Sequence, residues 1–355
     1  MTILTWHIAK EVLKGSFLAL ILLLTLFNLF TFSDELKDMG TGDYGLKEIF
    51  LYLALTSPRV FYELVPSGAL LGSLFVLGTM ANHSEIIAMR SAGLSVMGII
   101  RAVMLAGLIL VIMAVCIGEF VAPKTERSAR LLKATSQHNK VIMHTRYGIW
   151  LREGNQFVNI REVKAHSELS DITIYQLNTQ KKLEQVIHAE TGVFKDNEQW
   201  QLSQIKRTQI IGDEIIPTHE EDKMWKTSIA PDLLKIIVVK PNNLSLFDLA
   251  QYIDFLKENN QKSKIFEAAF WGRIINPLVT FVMLMVATPF VIGIKRGSSM
   301  GGRLMAGIII GMSFNILDKI INHMGLVYDL NPIMVALLPG TVVFLSASYA
   351  ISRVK

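Results

Sequence analysis

The chain has 355 residues, 51% of them hydrophobic and 18% charged, with a formal net charge of +5. A mean hydropathy of +0.40 excludes an ordinary soluble protein, and so much charge excludes a bare membrane bundle, so the two must be segregated along the chain. The pI near 9.1 does not mark a nucleic-acid binder, because the basic residues flank apolar runs and form no tract interleaved with aromatics.

Met1 to Ser16, with His7, Lys10 and Lys14, reads as an amphipathic lead-in to a first span from about Gly15 to Ser33. Only SDELKD follows Phe32, with no small-residue cleavage pattern, so the span is expected to be retained and not removed as a signal peptide. Asp34 to Lys47 is a glycine-rich polar turn. The second apolar segment, Ile49 to Met80, is longer than the roughly 20 residues a straight span needs. Pro58 and Pro66 predict a break in it, with the first part at the interface or above the bilayer.

Ala81 to Gly93, ANHSEIIAMRSAG, is the strongly polar break between the apolar runs of the N-terminal third. It predicts a short helix. Asn82 would cap it, with Glu85 reaching back as in a capping box, Gly93 would stop it, and Arg90 would sit in the last turn. Ile86, Ile87 and Met89 give an apolar face, and so short a helix must dock on something. A third span, Val96 to Val121, is expected to end near Glu119 and Pro123. The single cysteine, Cys116, lies in that run and reads as a small buried residue.

Beyond Pro123 the chain turns polar. After a helical-looking stretch, Thr125 to Gln137, it reads as strands: YGIWL and QFVNI flank the turn REGN as a hairpin, and further short strands suggest an antiparallel sandwich or barrel. Ser245 with Asp248 opens an amphipathic helix whose stripe, Leu246, Leu249, Ile253 and Leu256, suits packing on the adjoining domain. Three spans follow, about Ala268 to Ile294, Leu304 to Ile321 and Pro332 to Ile351. Lys295, Arg296, Arg303, Arg353 and Lys355 then fall on the side of Lys10, Lys14 and Arg90 if both termini lie inside and the insert outside. The fold class is an α-helical membrane protein with six transmembrane helices and an all-β domain inserted between the third and fourth.

No GxxxxGKS/T or HExxH motif is present, so neither ATP hydrolysis nor another enzymatic activity is expected of the chain. The histidines of the insert lack ligand spacing, and no metal site is expected. Gly68 with Gly72 and Gly307 with Gly311 form GxxxG pairs, whose physical meaning is close helix packing. Lys37, Glu63, Arg130 and Lys133 lie near the outer ends of the spans. For one such charge snorkelling is the plainer role, but Lys37, Arg130 and Lys133 together would suit an anionic amphiphile.

SDELKDMGTGDYG, PSGALLGSL, SEIIAMRSAG, GEFVAP, GIWLREGNQFVNI and NPLVTFVML together make the chain resemble the LptF/LptG (YjgP/YjgQ) family of lipopolysaccharide export permeases over essentially its whole length, on the LptG side of the pair. SEIIAMRSAG and GEFVAP at their spacing are the specific elements. The resemblance implies a multi-pass subunit of a Gram-negative inner-membrane ABC transporter, with both termini cytoplasmic. It would pair with a sister permease, LptF, with a dimer of the LptB ATPase, which binds the ATP and Mg, and with LptC. Residues 1–123 would hold spans one to three with a coupling helix at about 82–93, residues 124–264 a periplasmic β-jellyroll with flanking helices, and residues 265–355 spans four to six.

The resemblance further implies that Glu85 and Arg90 are polar contacts to the ATPase, and Ile86, Ile87 and Met89 its apolar key. Lys37, Arg130 and Lys133 would contact lipopolysaccharide phosphates. Related sequences often carry a second lysine where this chain has Asp38, so the local positive charge is weaker here. The implied activity is extraction of lipopolysaccharide from the outer leaflet of the inner membrane and delivery to a periplasmic bridge. The competing expectation is a mechanotransmission or scaffold protein, driven by an ATPase without moving lipid.

Overall fold

The computed structural model describes residues 3–138, 141–164, 168–195, 199–212, 214–227, 241, 244–292 and 300–353. Among them, six helices are long and apolar enough to cross a membrane. Helix α1 (Ile3–Glu35) takes the lead-in and the first span into one rod and closes in a 3-10 turn, Leu36–Asp38. Helix α2 spans Leu46–Asn82, α3 Glu85–Ser91 and α4 Val96–Cys116. A π turn over Ile117–Val121 carries α4 into α5 (Ala122–His138). Six strands follow: β1 (Val141–Glu153), β2 (Gln156–Lys164), β3 (Glu168–Leu177), β4 (Leu183–Lys195), β5 (Gln199–Ile211) and β6 (Glu214–Lys226). The chain ends with α6 (Leu246–Glu258), α7 (Lys264–Ile292), α8 (Met300–Val327) and α9 (Pro332–Arg353).

Two expected breaks are absent. Helix α2 runs unbroken through Pro58 and Pro66. Each proline forfeits a helical hydrogen bond, but α2 is the most buried of the six spans, packed by α1, α5, α7 and α8. Tertiary packing therefore outweighs local propensity. Its 37 residues reach about 55 Å, well beyond a hydrocarbon core of about 30 Å, so one part extends past the bilayer. The third span likewise does not end at Pro123: the helix continues through the π turn into α5, which holds the expected Thr125–Gln137 stretch.

Close approach of backbones builds the bundle around α2. A side-chain carbon on Gly72 would strike the backbone of Gly15 and Ser16 in α1, and one on Gly68 would strike Leu20. Gly307 of α8 meets Leu74 in the same way, while Gly311 lies in ordinary contact with Leu70 at 3.6 Å. The Gly68 and Gly72 pair thus serves close packing, as its spacing implied, whereas in the second pair only Gly307 does. Cys116 departs from expectation: it is exposed, on the flank of α4 that also exposes Ile112 and Val115.

The cap of α3 also differs. Asn82 is the last residue of α2, and Ser84, at φ 61°, occupies the N-cap position without a side-chain hydrogen bond. The end of α2 and the start of α3 are too close for Asn82 to stand outside both. The stop is as expected. Gly93 has φ 92°, and the Gly93 N–H to Arg90 and Leu94 N–H to Met89 bonds, both 3.0 Å, form a Schellman motif.

The insert is all-β, as expected, and the predicted hairpin pairs Glu153 with Gln156 across Gly154. Among the described residues its six strands form one antiparallel sheet in the order β1-β2-β3-β4-β5-β6. The facing layer is helical. Leu249, Tyr252, Phe255 and Leu256 of α6 share one core with Ile160, Ile172 and Trp200 of the sheet, flanked by Phe266 and Phe270 of α7. Ser245 caps α6, accepting from Asp248 N–H at 3.1 Å. Lys295, Arg296 and Lys355 lie outside the described residues.

Gly72→Val is expected to lower folded yield and the detergent unfolding midpoint sharply, because the backbone it meets cannot yield as a flexible side chain does. Gly311→Ala is expected to leave both unchanged. Thermal unfolding of the two purified variants checks the pair, and equal losses would contradict the packing account.

Candidate functional site

Three elements converge at the end of the bundle nearest the sheet: the close of α1, the first half of α2 and all of α5. They carry a column of ion pairs. Arg59 on α2 sits 3.0 Å from Glu63 and 3.3 Å from Glu126 of α5. The Glu126 carboxylate, whose side chain is only 3% exposed, also holds Arg130 at 3.0 Å. Farther along, Lys133 reaches Glu35 at 2.6 Å and Asp38 at 2.8 Å, and its ammonium lies over the rings of Tyr44 and Tyr52 at 5.7 and 5.4 Å. The Tyr44 hydroxyl donates to Glu35 at 2.8 Å. Burial, then the Glu35 carboxylate, pushes this phenol well above its ordinary range, so it stays a donor. Lys37 is more loosely placed, largely exposed and 2.8 Å from Asp34.

The structure therefore brings Arg130 and Lys133 onto one column and leaves Lys37 on the exposed turn above it. Each of the three basic residues expected from the sequence has a carboxylate partner, so the rim is a charge-compensated column and not a purely basic surface. By helical rise, Arg59 and Glu63 stand roughly 30 Å along α2 from Asn82, and Tyr52 about 45 Å.

A second polar cluster locks the same end to the sheet domain, and sequence reasoning missed it. In the π turn, Ala122 N–H bonds back to the carbonyl of Ile117, and Pro123 has no N–H to give to Gly118. The Gly118 carbonyl is thus left without a helical donor, and the Arg273 guanidinium of α7 supplies one. Arg273 also pairs with Glu119, whose other oxygen accepts the Leu246 N–H at 2.9 Å, at the positive end of α6. Tyr62 of α2 donates to the Arg273 carbonyl at 3.0 Å and places its ring 5.6 Å from the guanidinium carbon. Gly118 permits this, since a side-chain carbon there would come within 2.6 Å of the Tyr62 ring. An arginine inside an apolar span, together with a proline that strips a helical donor, was the signal available in the sequence.

At the opposite end of α2, Ile86 and Met89 turn inward to the bundle core, while Ile87 is 50% exposed. Glu85 is half-buried and Arg90 exposed. The outward face of α3 is therefore Glu85, Ile87 and Arg90. Among the described residues, no three His, Cys, Asp or Glu side chains gather to hold a metal ion.

A sequence profile described as "Lipopolysaccharide export system permease LptF/LptG" matches residues 6–353. The lipopolysaccharide export system permease protein LptG of Haemophilus influenzae is 33% identical over 348 residues, covering 98% of this chain and 97% of the relative. Its namesake from Escherichia coli is 33% identical over 353 residues, covering 99% and 98%.

Arg273→Met would leave Glu119 and the Gly118 carbonyl without their cation and is expected to cost roughly 3–5 kcal/mol. Adding Glu119→Gln is expected to recover part of that loss. Unfolding midpoints of the single and double variants form the cycle that checks it, and strictly additive losses would mean that the two groups do not depend on each other.

Proposed function

The chain belongs to the LptF/LptG family of lipopolysaccharide export system permeases and is a multi-pass inner-membrane protein; on that premise we propose that it is one half of a two-permease gate that lifts lipopolysaccharide out of the outer leaflet and passes it to a periplasmic bridge. One observation carries this reading. The apolar window of α2 is 67% buried within the chain, whereas those of α1, α8 and α9 are 17%, 11% and 22% buried. Phe17, Leu18 and Leu22 of α1 and Ile309, Met312 and Ile316 of α8 are exposed. Such helices need lipid or a second apolar wall against them.

In this reading a sister permease, LptF, supplies the second wall, and spans one, two and five (α1, α2 and α8) line a cavity for acyl chains. Lys37, Arg130 and Lys133 stand at its outer edge, where phosphates would lie. The termini and α3 face the cytoplasm, and the sheet faces the periplasm. ATP and Mg bind to a separate ATPase, a dimer of LptB, and LptC joins the assembly. Closure of the ATPase pushes on α3 through Glu85, Ile87 and Arg90, and the spans shift as rigid bodies. Ile86 and Met89 take part from the inside, by fastening α3 to the bundle. Membership of an export-permease family does not favour the mechanotransmission reading, in which no lipid moves.

Ile87→Asp is expected to abolish co-purification of the ATPase while leaving the unfolding midpoint intact, whereas Met89→Ala is expected to lower the midpoint first. Pull-down and thermal melts of the two variants separate docking from packing; retained ATPase in Ile87→Asp would move the contact elsewhere. For the cargo, the complex with sister permease and ATPase is expected to retain lipopolysaccharide by mass spectrometry and to lose most of it in the Lys37→Ala/Arg130→Ala/Lys133→Ala variant. A stable wild-type complex that holds none would count against transport.

A further inference from the structure

Lys133 differs from the other two basic residues in the kind of partners it has. Glu35 is a fixed partner: its side chain is 10% exposed and it also accepts the Tyr44 hydroxyl. Asp38 is a loose one, 46% exposed and carried on the short 3-10 turn that closes α1. Arg130, by contrast, is tied to the buried Glu126, and Lys37 to the exposed Asp34. Lys133 thus has one carboxylate that positions it and another that can leave.

We propose that Asp38 is an exchange ligand: it occupies the Lys133 ammonium when no cargo phosphate does, and a phosphate of the lipid displaces it. The chemistry of the swap is matched. Carboxylate and phosphate oxygens both take charge-assisted hydrogen bonds from an ammonium, and a phosphate brings more negative charge than a carboxylate. An exposed ion pair is weak enough to yield, while the buried Glu35 pair is too costly to break. The exchange keeps Lys133 compensated at every stage, and the return of Asp38 helps to expel the phosphate. Asp38 therefore limits how tightly the anionic headgroup is held, so that it can be released.

This inference rests on the proposed contact between Lys133 and lipopolysaccharide phosphate, and the test separates the two. The full complex with sister permease and ATPase would be purified in wild-type, Asp38→Asn, Lys133→Ala and doubly substituted forms, and retained lipopolysaccharide per complex would be read by mass spectrometry across a salt series. Asp38→Asn is expected to raise retention about two- to fivefold, the range an exposed ion pair allows, and to slow ATP-driven release. Lys133→Ala is expected to lower retention, and the double variant to show no gain over it. Unchanged or reduced retention in Asp38→Asn, with loss in Lys133→Ala, overturns the exchange and leaves the Lys133 contact standing. A gain that survives in the double variant also overturns it, since Asp38 would then act through general charge. Full retention in Lys133→Ala removes the contact itself, and the exchange with it.

Discussion

The Arg273 guanidinium is the point on which the two halves of the architecture depend. A proline at position 123 could have ended the third span, and the expected consequence of its missing donor is a frayed or broken helix. Instead the lost bond becomes an attachment. The carbonyl that Pro123 cannot serve is taken by Arg273 of α7, the neighbouring Glu119 neutralises that arginine, and the same carboxylate receives the first N–H of α6. Helix α6 covers the sheet. One ion pair therefore joins the span bundle, the continuation of the third span and the β domain. Its burial is tolerated because every element it touches brings a polar group to it.

The charged column beside it follows a related rule. Residues that a sequence reader would count as a positive rim are each matched by a carboxylate, two of them by near neighbours on their own helix or turn: Glu126 with Arg130 and Asp34 with Lys37. At the edge of a low-dielectric slab an uncompensated cation is expensive, and each of these cations has its carboxylate within the chain. The exposed apolar faces of α1 and α8 carry no such requirement, because they hold no charge to compensate.

How much of this was legible in the sequence depended on range. The spans, the hairpin around Gly154, the Ser245 cap and the Gly93 stop were readable because hydropathy, turn chemistry and capping act within a few residues. The continuity of α2 through Pro58 and Pro66 was not, since it depends on helices packed on both flanks and not on local propensity. Asn82 failed as a cap for a related reason, being consumed by the preceding helix. Within the candidate site, the local pairs could have been found from their three- and four-residue spacing. The bonds from Lys133 to Glu35 and from Arg273 to Glu119 join residues 98 and 154 positions apart; an arginine in an apolar span signals that it needs a partner, but at such separations one sequence does not say which.

The unbroken helix formed by α4, the π turn and α5 has a mechanical consequence. It begins a few residues after α3 and ends where the sheet begins, so it behaves as a lever with its bearing at the Arg273 attachment. With the pivot near Gly118 each arm of the rod is roughly 30 Å long, so a tilt of about 5° moves each tip by roughly 2–3 Å. A displacement at the α3 end is thereby matched by one of similar size where α5 meets the sheet. Because the bearing lies partway along the rod and not at its end, the two ends of a tilting rod travel in opposite directions.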